Sequence, residues 1–224
     1  LMALTALMFA SMSGAYSISR SVSRPAAQSM FVAMGVGIAV VWPMVRLSQV
    51  VPYEGATRWG LRDLVVVMIP VQAVVLPQMF PVLAGWSLTV VLAVDAFLCV
   101  WALVMTGLVA MAQRSIGADA RSGLGGGWGN GLWKVLILVV VLAAPGFGLL
   151  TMAGTNAGIQ VPRVGWLLSP VTGVLELTRD RSVLGVGASI HGAHWRMILA
   201  IGCVGLALIL FGHALEVARR QGRG

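Results

Sequence analysis

One acidic residue, Asp95, lies well inside a long apolar run of this sequence, between Val94 and Ala96. An ionisable side chain is costly in hydrocarbon, so such a residue is a candidate for a proton or cation relay. A hydrogen bond to a neighbouring helix is the structural alternative. A relay needs ionisable partners, and the other apolar runs offer only His213 and Glu216, near the end of the last run.

Two histidines, His191 and His194, are three residues apart, a spacing compatible with a metal pair on one helical face. Two ligands do not complete a zinc site, and no cluster of Cys, Asp or Glu supplies the rest. We therefore expect an interfacial pair beside Trp195 and Arg196, with no metal. No G-x-S-x-G motif or other nucleophile setting occurs, so the sequence predicts no enzymatic chemistry in this chain.

A glycine-rich segment at 123–131 invites comparison with a phosphate-binding loop. Such a loop needs Gly-Lys followed by Ser or Thr, so that the lysine and the hydroxyl reach phosphate and metal. The only lysine, Lys134, lies between Trp133 and Val135, so we expect no nucleotide and no other cofactor. The glycines fit a hinge before the next apolar run.

The composition indicates a membrane protein. Of the 224 residues, 58% are hydrophobic and 10% are charged, against roughly 25% charged residues in soluble domains. The net charge of +8 comes from arginines at the ends of apolar runs, where the positive-inside bias and lipid headgroups favour them. This placement argues against nucleic-acid binding. Cys99 and Cys203 lie inside apolar runs and are expected to be free thiols.

Six apolar runs approach the roughly 20 residues that a spanning helix needs. They are 2–18, 30–45, 64–84, 88–111, 132–152 and 197–215. Pro70, Pro77 and Pro81 predict that the third run is kinked or re-entrant, because each removes a backbone donor. The sequence thus predicts an all-α, polytopic membrane helix bundle of five or six spans, in a single transmembrane domain. The first run lacks the basic region of a signal peptide, so we expect a true span and a natural start upstream of Leu1.

Before the last run lies a stretch, 153–196, that alternates apolar residues with turn formers. Ser169 and Pro170 predict the N-cap and the first residue of a short helix. We predict an interfacial or re-entrant segment here. A loop packed on the bundle is the alternative.

Two similar basic phrases each lie between apolar runs. The first begins Arg20-Ser21, the second begins Arg114-Ser115, and each has an alanine six residues after its arginine. We interpret both phrases as short interfacial breaks. If six spans cross the membrane, the phrases lie on opposite faces; if the third run is re-entrant, both lie inside. The placement of Arg and Lys does not decide between these topologies.

The two phrases resemble a pattern in permease subunits of ABC-2 type exporters. In that pattern, small residues end one span, a short break carries Ser and Arg, and alanine opens the next span. The first match runs from Ser13-Gly14 through Arg20-Ser21 to Ala26-Ala27, and the second runs from Thr106-Gly107 through Arg114-Ser115 to Ala120. The end of the chain is similar too, with Leu168-Ser169-Pro170 before a short helix, then Trp195 and Arg219-Arg220.

This resemblance implies a homo- or heterodimeric exporter pore in a bacterial inner membrane, driven by a separate cytoplasmic P-loop ATPase subunit. The stretch from 153 to 195 would be its outer re-entrant region. The candidate ATPase-coupling loops would carry Arg20, Ser21, Arg24, Arg114, Ser115 and Arg121.

Two other classes stay open. One is a structural or anchoring subunit of a larger membrane complex, which the scarcity of polar residues within the spans favours. The other is a secondary carrier that uses Asp95. The sequence does not distinguish lipid, drug, peptide or polysaccharide as cargo.

Overall fold

The computed structural model describes residues 20–49, 56–79, 85–121, 132–140, 163–180 and 187–221. Helices and short connections form these ranges, and no strand occurs within them. The helices are α1 (Arg20–Val36), α2 (Trp42–Ser48), α3 (Ala56–Val75), α4 (Leu88–Arg121), α5 (132–140), α6 (Pro170–Leu177) and α7 (Gly192–Gln221). A π-helical turn, Gly37–Val41, joins α1 to α2. Short 3-10 segments follow α3 at Leu76–Met79 and precede α6 at Val164–Leu168.

Among the described residues, four helical stretches are long and apolar enough to cross a membrane, which indicates an integral membrane protein of the all-α class. They are Ser23–Ser48, Trp59–Met79, Leu88–Arg114 and Gly192–Leu215. The predicted run 2–18 and most of the run 132–152 lie outside the described residues.

The two longest helices, α4 and α7, run in the same direction and touch through small residues. Gly202 lies against Val100, and Gly107 lies against Leu208, so residue numbers rise together along both helices. A Cβ added at Gly107 would come within 2.7 Å of the Leu208 Cβ atom. Glycine therefore allows a close approach of the two backbones, as is common in membrane bundles.

The third long helix, α3, packs antiparallel to α4. Near its start, Gly60 lies against Thr106. Three turns later, the Gln72 side chain reaches Asp95, which lies much nearer the start of α4. The chain in α3 therefore advances toward the end of the bundle at which α4 begins.

The described part of the third apolar run is helical and does not turn back on itself. Pro70 lies inside α3, and Pro77 lies in the 3-10 segment that continues it to Met79. As far as residue 79, the run predicted as kinked or re-entrant forms a helix that is a candidate span. A proline removes one backbone hydrogen bond, and the packing of α3 along α4 tolerates that loss.

Residues 163–180 form a compact unit that we call the hairpin. Its 3-10 segment leads inward and α6 leads back, because the Arg163 backbone N–H donates to the Glu176 carboxylate at 2.9 Å. Ser169 caps α6, and its side chain accepts from the Val171 N–H, with Pro170 at the first turn. The predicted cap and helix start are confirmed.

The long helices define two ends of the bundle. At the hairpin end, Arg24 near the start of α1 pairs with Asp180 at the end of the hairpin. At the far end, Arg46 near the end of α2 pairs with Asp63 near the start of α3. Arg114 also lies toward the far end, since α4 begins at the hairpin end.

Candidate functional site

The first basic phrase lies on a helix and holds the hairpin. Arg24 donates to both carboxylate oxygens of Asp180, at 3.0 and 3.2 Å, across 156 residues of sequence. One turn further along α1, the Gln28 amide donates to the backbone carbonyl and the hydroxyl of Thr178. These bonds fix the end of the hairpin to the start of α1.

The second phrase is also helical, in the last turns of α4. The Arg114 side chain is 7% exposed and lies against Gly212 of α7, where glycine leaves room for the guanidinium. Ser115 and Arg121 follow on the same helix, whereas Arg20 and Ser21 open α1. The side chains of these four residues lie outside what the structure describes.

Both phrases are helical where the structure describes them. The first opens α1 and the second continues α4, so neither lies in a loop. An arginine or serine does not by itself end a helix, because its backbone N–H and C=O can still form the helical hydrogen bonds. Only the charged side chain has to lie outside the hydrocarbon region of the membrane. The two phrases also lie at opposite ends of the bundle, so they do not form one surface for a common partner.

The intramembrane acid is hydrogen-bonded to the neighbouring helix. The Gln72 Nε2 atom of α3 donates to Asp95 Oδ1 of α4 at 2.6 Å. Cys99, one turn further along α4, lies close to both groups. This is the structural alternative that the sequence left open for Asp95, and it ties α3 to α4.

The hairpin reaches deep into the bundle. At its tip, the Trp101 indole N–H donates to the Leu167 carbonyl at 3.3 Å. Trp101 lies thirteen residues after Leu88, so the tip lies about 20 Å along α4 from the hairpin end.

Two glycines let the hairpin pack closely against its neighbours. A Cβ at Gly35 of α1 would come within 2.9 Å of the Pro170 carbonyl oxygen. Gly173 of α6 lies against the ring of Phe97, a fully buried residue of α4. Residues 163–180 of the segment predicted as interfacial or re-entrant thus contain helical turns that pack between α1 and α4.

A buried charged cluster joins the hairpin to α7. The Glu176 carboxylate is fully buried, 3.7 Å from Arg179 and 3.7 Å from the Nε2 atom of the equally buried His194. The sequence pattern did not single out Glu176, which lies in a stretch where apolar residues alternate with turn formers. The available signal was an acid flanked by leucines in a short apolar helix, three residues before an arginine.

The two histidines contact each other at the start of α7. The His191 backbone N–H donates to the His194 Nδ1 atom at 3.0 Å, and the ring centroids are 5.8 Å apart. Among the described residues, no three His, Cys, Asp or Glu side chains form a group that could hold a metal ion. The pair closes the first turn of α7.

The far end carries its own polar contacts. Besides the ion pair of Arg46 with Asp63, the Arg62 guanidinium lies over the Trp59 ring, 5.5 Å from its centroid. Arg62 and Trp59 are both exposed at the start of α3. This end therefore presents a cationic and aromatic surface.

The described part of the chain thus combines a hairpin packed between helices, an acidic residue hydrogen-bonded within a span, and arginines at both ends of the helix bundle. No protein-family model, curated protein or solved structure matches this chain.

Proposed function

We propose that this chain is the membrane-spanning permease subunit of an ATP-driven exporter of the ABC-2 type, powered by a separate P-loop ATPase. The hairpin is the observation that carries the proposal. Its two ends meet at one end of the bundle, its tip contacts α4 about 20 Å from the start of that helix, and it precedes the last long helix in the chain. The family resemblance implies a re-entrant region at this place in the chain.

The helix directions support a six-span topology. α1, α4 and α7 lead away from the hairpin end and α3 leads back, so the chain has to return once between α4 and the hairpin. The predicted run 2–18 would then be the sixth span. The far end carries seven arginines of the described residues, against five at the hairpin end. They are Arg46, Arg58, Arg62, Arg114, Arg121, Arg219 and Arg220 against Arg20, Arg24, Arg163, Arg179 and Arg196. This excess favours a cytoplasmic far end.

The ATPase contact then belongs to the far end. Of the coupling candidates, Arg114, Ser115 and Arg121 stay in the proposal because α4 ends there. The candidates Arg20, Ser21 and Arg24 are at the hairpin end and are no longer proposed as coupling residues. The exposed pair of Arg62 with Trp59 extends the surface on the far end.

The outward faces suit lipid and a second permease subunit. On α3, Val65, Val66 and Ile69 are each about 60% exposed, and on α7 Leu199 is 66% exposed. Such apolar surface is stable against acyl chains or a neighbouring bundle. It is consistent with a dimeric permease in a bacterial inner membrane.

The secondary-carrier alternative receives less support. Asp95 has a hydrogen-bond donor on the adjacent helix, which gives it a structural role without ion movement. An anchoring subunit of a larger complex stays as the second candidate, because few polar side chains lie within the spans.

Co-purification tests the proposal. Tagged protein solubilised gently from its native membrane should bring down a P-loop ATPase, identified by mass spectrometry. The variant Arg62→Glu should lower ATPase recovery, whereas Arg196→Glu, an exposed arginine at the hairpin end, should leave it unchanged. If no P-loop ATPase is ever recovered, the permease proposal is wrong; redox partners in its place would favour the anchoring subunit.

A further inference from the structure

We propose that the half-buried pair of Gln72 and Asp95 is the centre of a contact with a second copy of this chain. In that contact, the Gln72 amide of each copy bonds to the Asp95 carboxyl group of the other copy. The inference goes beyond the proposed function, because a dimer of this chain alone, without any ATPase, satisfies it.

The hydrogen bond within one copy leaves polar groups unused. The Gln72 Nε2 atom donates to Asp95 Oδ1 at 2.6 Å. The second N–H of this amide reaches only the Cys99 Sγ atom, at 3.9 Å, and sulfur is a weak acceptor. Among the described residues, neither the Gln72 carbonyl oxygen nor the Asp95 Oδ2 atom has a hydrogen-bond partner. The pair therefore still offers both a donor and acceptors.

These groups lie within a candidate span and open outward. Asp95 follows Leu88 by seven residues, so it lies about 10 Å along α4 from the hairpin end. Gln72 and Asp95 are both partly exposed, at the line where α3 and α4 meet. An acidic side chain that faces hydrocarbon is costly, because acyl chains neither donate nor accept hydrogen bonds. The site is therefore incomplete without a polar partner from outside these two helices.

Apolar residues surround the polar pair on both helices. Ile69 and Leu76 of α3 and Leu92 of α4 are exposed, three or four residues from Gln72 or Asp95. Residues at this spacing lie on the same face of a helix. Ala73 is exposed beside Gln72 and leaves room for a close approach. We call this surface the seam patch, made of Ile69, Gln72, Ala73, Leu76, Leu92 and Asp95.

A second copy supplies the missing groups at the right depth. Two copies in the same orientation are related by a two-fold axis along the membrane normal, which keeps every residue at its own depth. Gln72 of each copy then meets Asp95 of the other, and its second N–H donates to the Asp95 Oδ2 atom. Because an amide both donates and accepts, the contact forms whether the carboxyl group is ionised or protonated.

Other occupants of the seam patch fit it less well. Lipid acyl chains suit the leucines but leave the amide and the carboxyl group without hydrogen bonds. An unrelated membrane protein would have to carry a donor and an acceptor at this depth, whereas a second copy carries both. Hydrogen bonds of this kind hold spanning helices together. The seam patch therefore fits a self-complementary dimer contact.

Cysteine crosslinking of the purified chain in liposomes tests the contact. Each protein starts from a cysteine-free background, Cys99→Ala with Cys203→Ala. Ala73→Cys adds one thiol to the seam patch, and Ala200→Cys adds one to an exposed alanine of α7 at a similar distance from the hairpin end. Mild oxidation or a short bifunctional thiol reagent should give a dimer from position 73 and none from position 200. No dimer from position 73, or equal dimer from both positions, would overturn the proposal.

Förster transfer between labelled copies, followed as the lipid is diluted, measures the dimer dissociation constant. Ala73→Trp should prevent association by filling the centre of the seam patch, whereas Ala200→Trp should not change it. Asp95→Leu removes both bonds between the copies and should weaken association by roughly tenfold. Asp95→Asn should retain association, because its amide can bond to Gln72 of the other copy.

Wild-type association in Ala73→Trp would overturn the seam patch as the contact surface. Wild-type association in Asp95→Leu would overturn the polar pair as its centre. If Asp95→Leu does not fold, Ala73→Trp and its matched control decide, since an exposed alanine can be enlarged without breaking the bond between Gln72 and Asp95.

Discussion

Replacing Gly173 by alanine should loosen the hairpin, because the added methyl group has no room. A Cβ at this position would lie 2.7 and 2.9 Å from the Cε1 and Cε2 atoms of Phe97, and closer still to Cζ. The Phe97 ring is fully buried in α4 and has no exposed space into which to swing. The hairpin must therefore shift away from α4, or the ring must leave its position.

The magnitude combines two opposing effects. Overpacking a core by one methyl group costs about 1–3 kcal/mol. Alanine in place of glycine inside a helix recovers up to about 1 kcal/mol. We expect a net loss of about 1–2 kcal/mol, which corresponds to a fall in Tm of about 2–8 °C for a chain of this size. Thermal unfolding in mild detergent, followed by circular dichroism, measures it.

Gly165 provides the matched control in the same hairpin, since no atom lies within 4 Å of a Cβ placed there. Gly165→Ala should leave Tm within about 1 °C of the wild type. The smaller side chain in Phe97→Leu should relieve the clash, so the double variant should lose less than the sum of the two single variants. If Gly173→Ala is as stable as the wild type, or if the losses simply add, the hairpin does not pack on Phe97 as described.

The same packing logic predicts that Gly107→Ala destabilises the contact of α4 with α7 by about 1–3 kcal/mol through Leu208, whereas Gly37→Ala, with open space around its Cβ, should be neutral. Equal Tm values for the two variants would contradict the close α4–α7 approach. Asp95→Asn keeps an oxygen that accepts from Gln72, so the Tm should stay near wild type, as should the ATPase activity of the proposed complex with an ATPase subunit. A loss of transport at unchanged Tm would instead favour a carrier that needs the Asp95 charge.

Local signals made part of this fold predictable. Apolar runs of about 20 residues located the long helices, because a segment that crosses a bilayer must satisfy its backbone hydrogen bonds internally, as a helix does. Ser169 and Pro170 located the start of α6 because a cap depends on neighbours within three residues. The prolines of the third run did not decide between a kinked span and a re-entrant segment, because a helix packed in a membrane bundle can continue through Pro70.

The candidate site depended on contacts between distant residues. Arg24 and Asp180 are 156 residues apart, and Glu176 meets His194 only because α6 turns back toward α7. A single sequence carries no signal for such pairs. The two basic phrases looked alike for a local reason, a charge near the end of a span, yet the helix directions place them at opposite ends.

Site-specific photo-crosslinking tests the central claim most directly, that an ATPase binds the far end of this bundle. Trp59 and Trp195 form a matched pair, 38% and 36% exposed, at the far end and the hairpin end. Each is replaced by p-benzoylphenylalanine and irradiated in native membranes. We predict a crosslink to a P-loop ATPase from position 59 and none from position 195. An ATPase crosslinked from position 195, or from neither position, would contradict the proposed orientation and function.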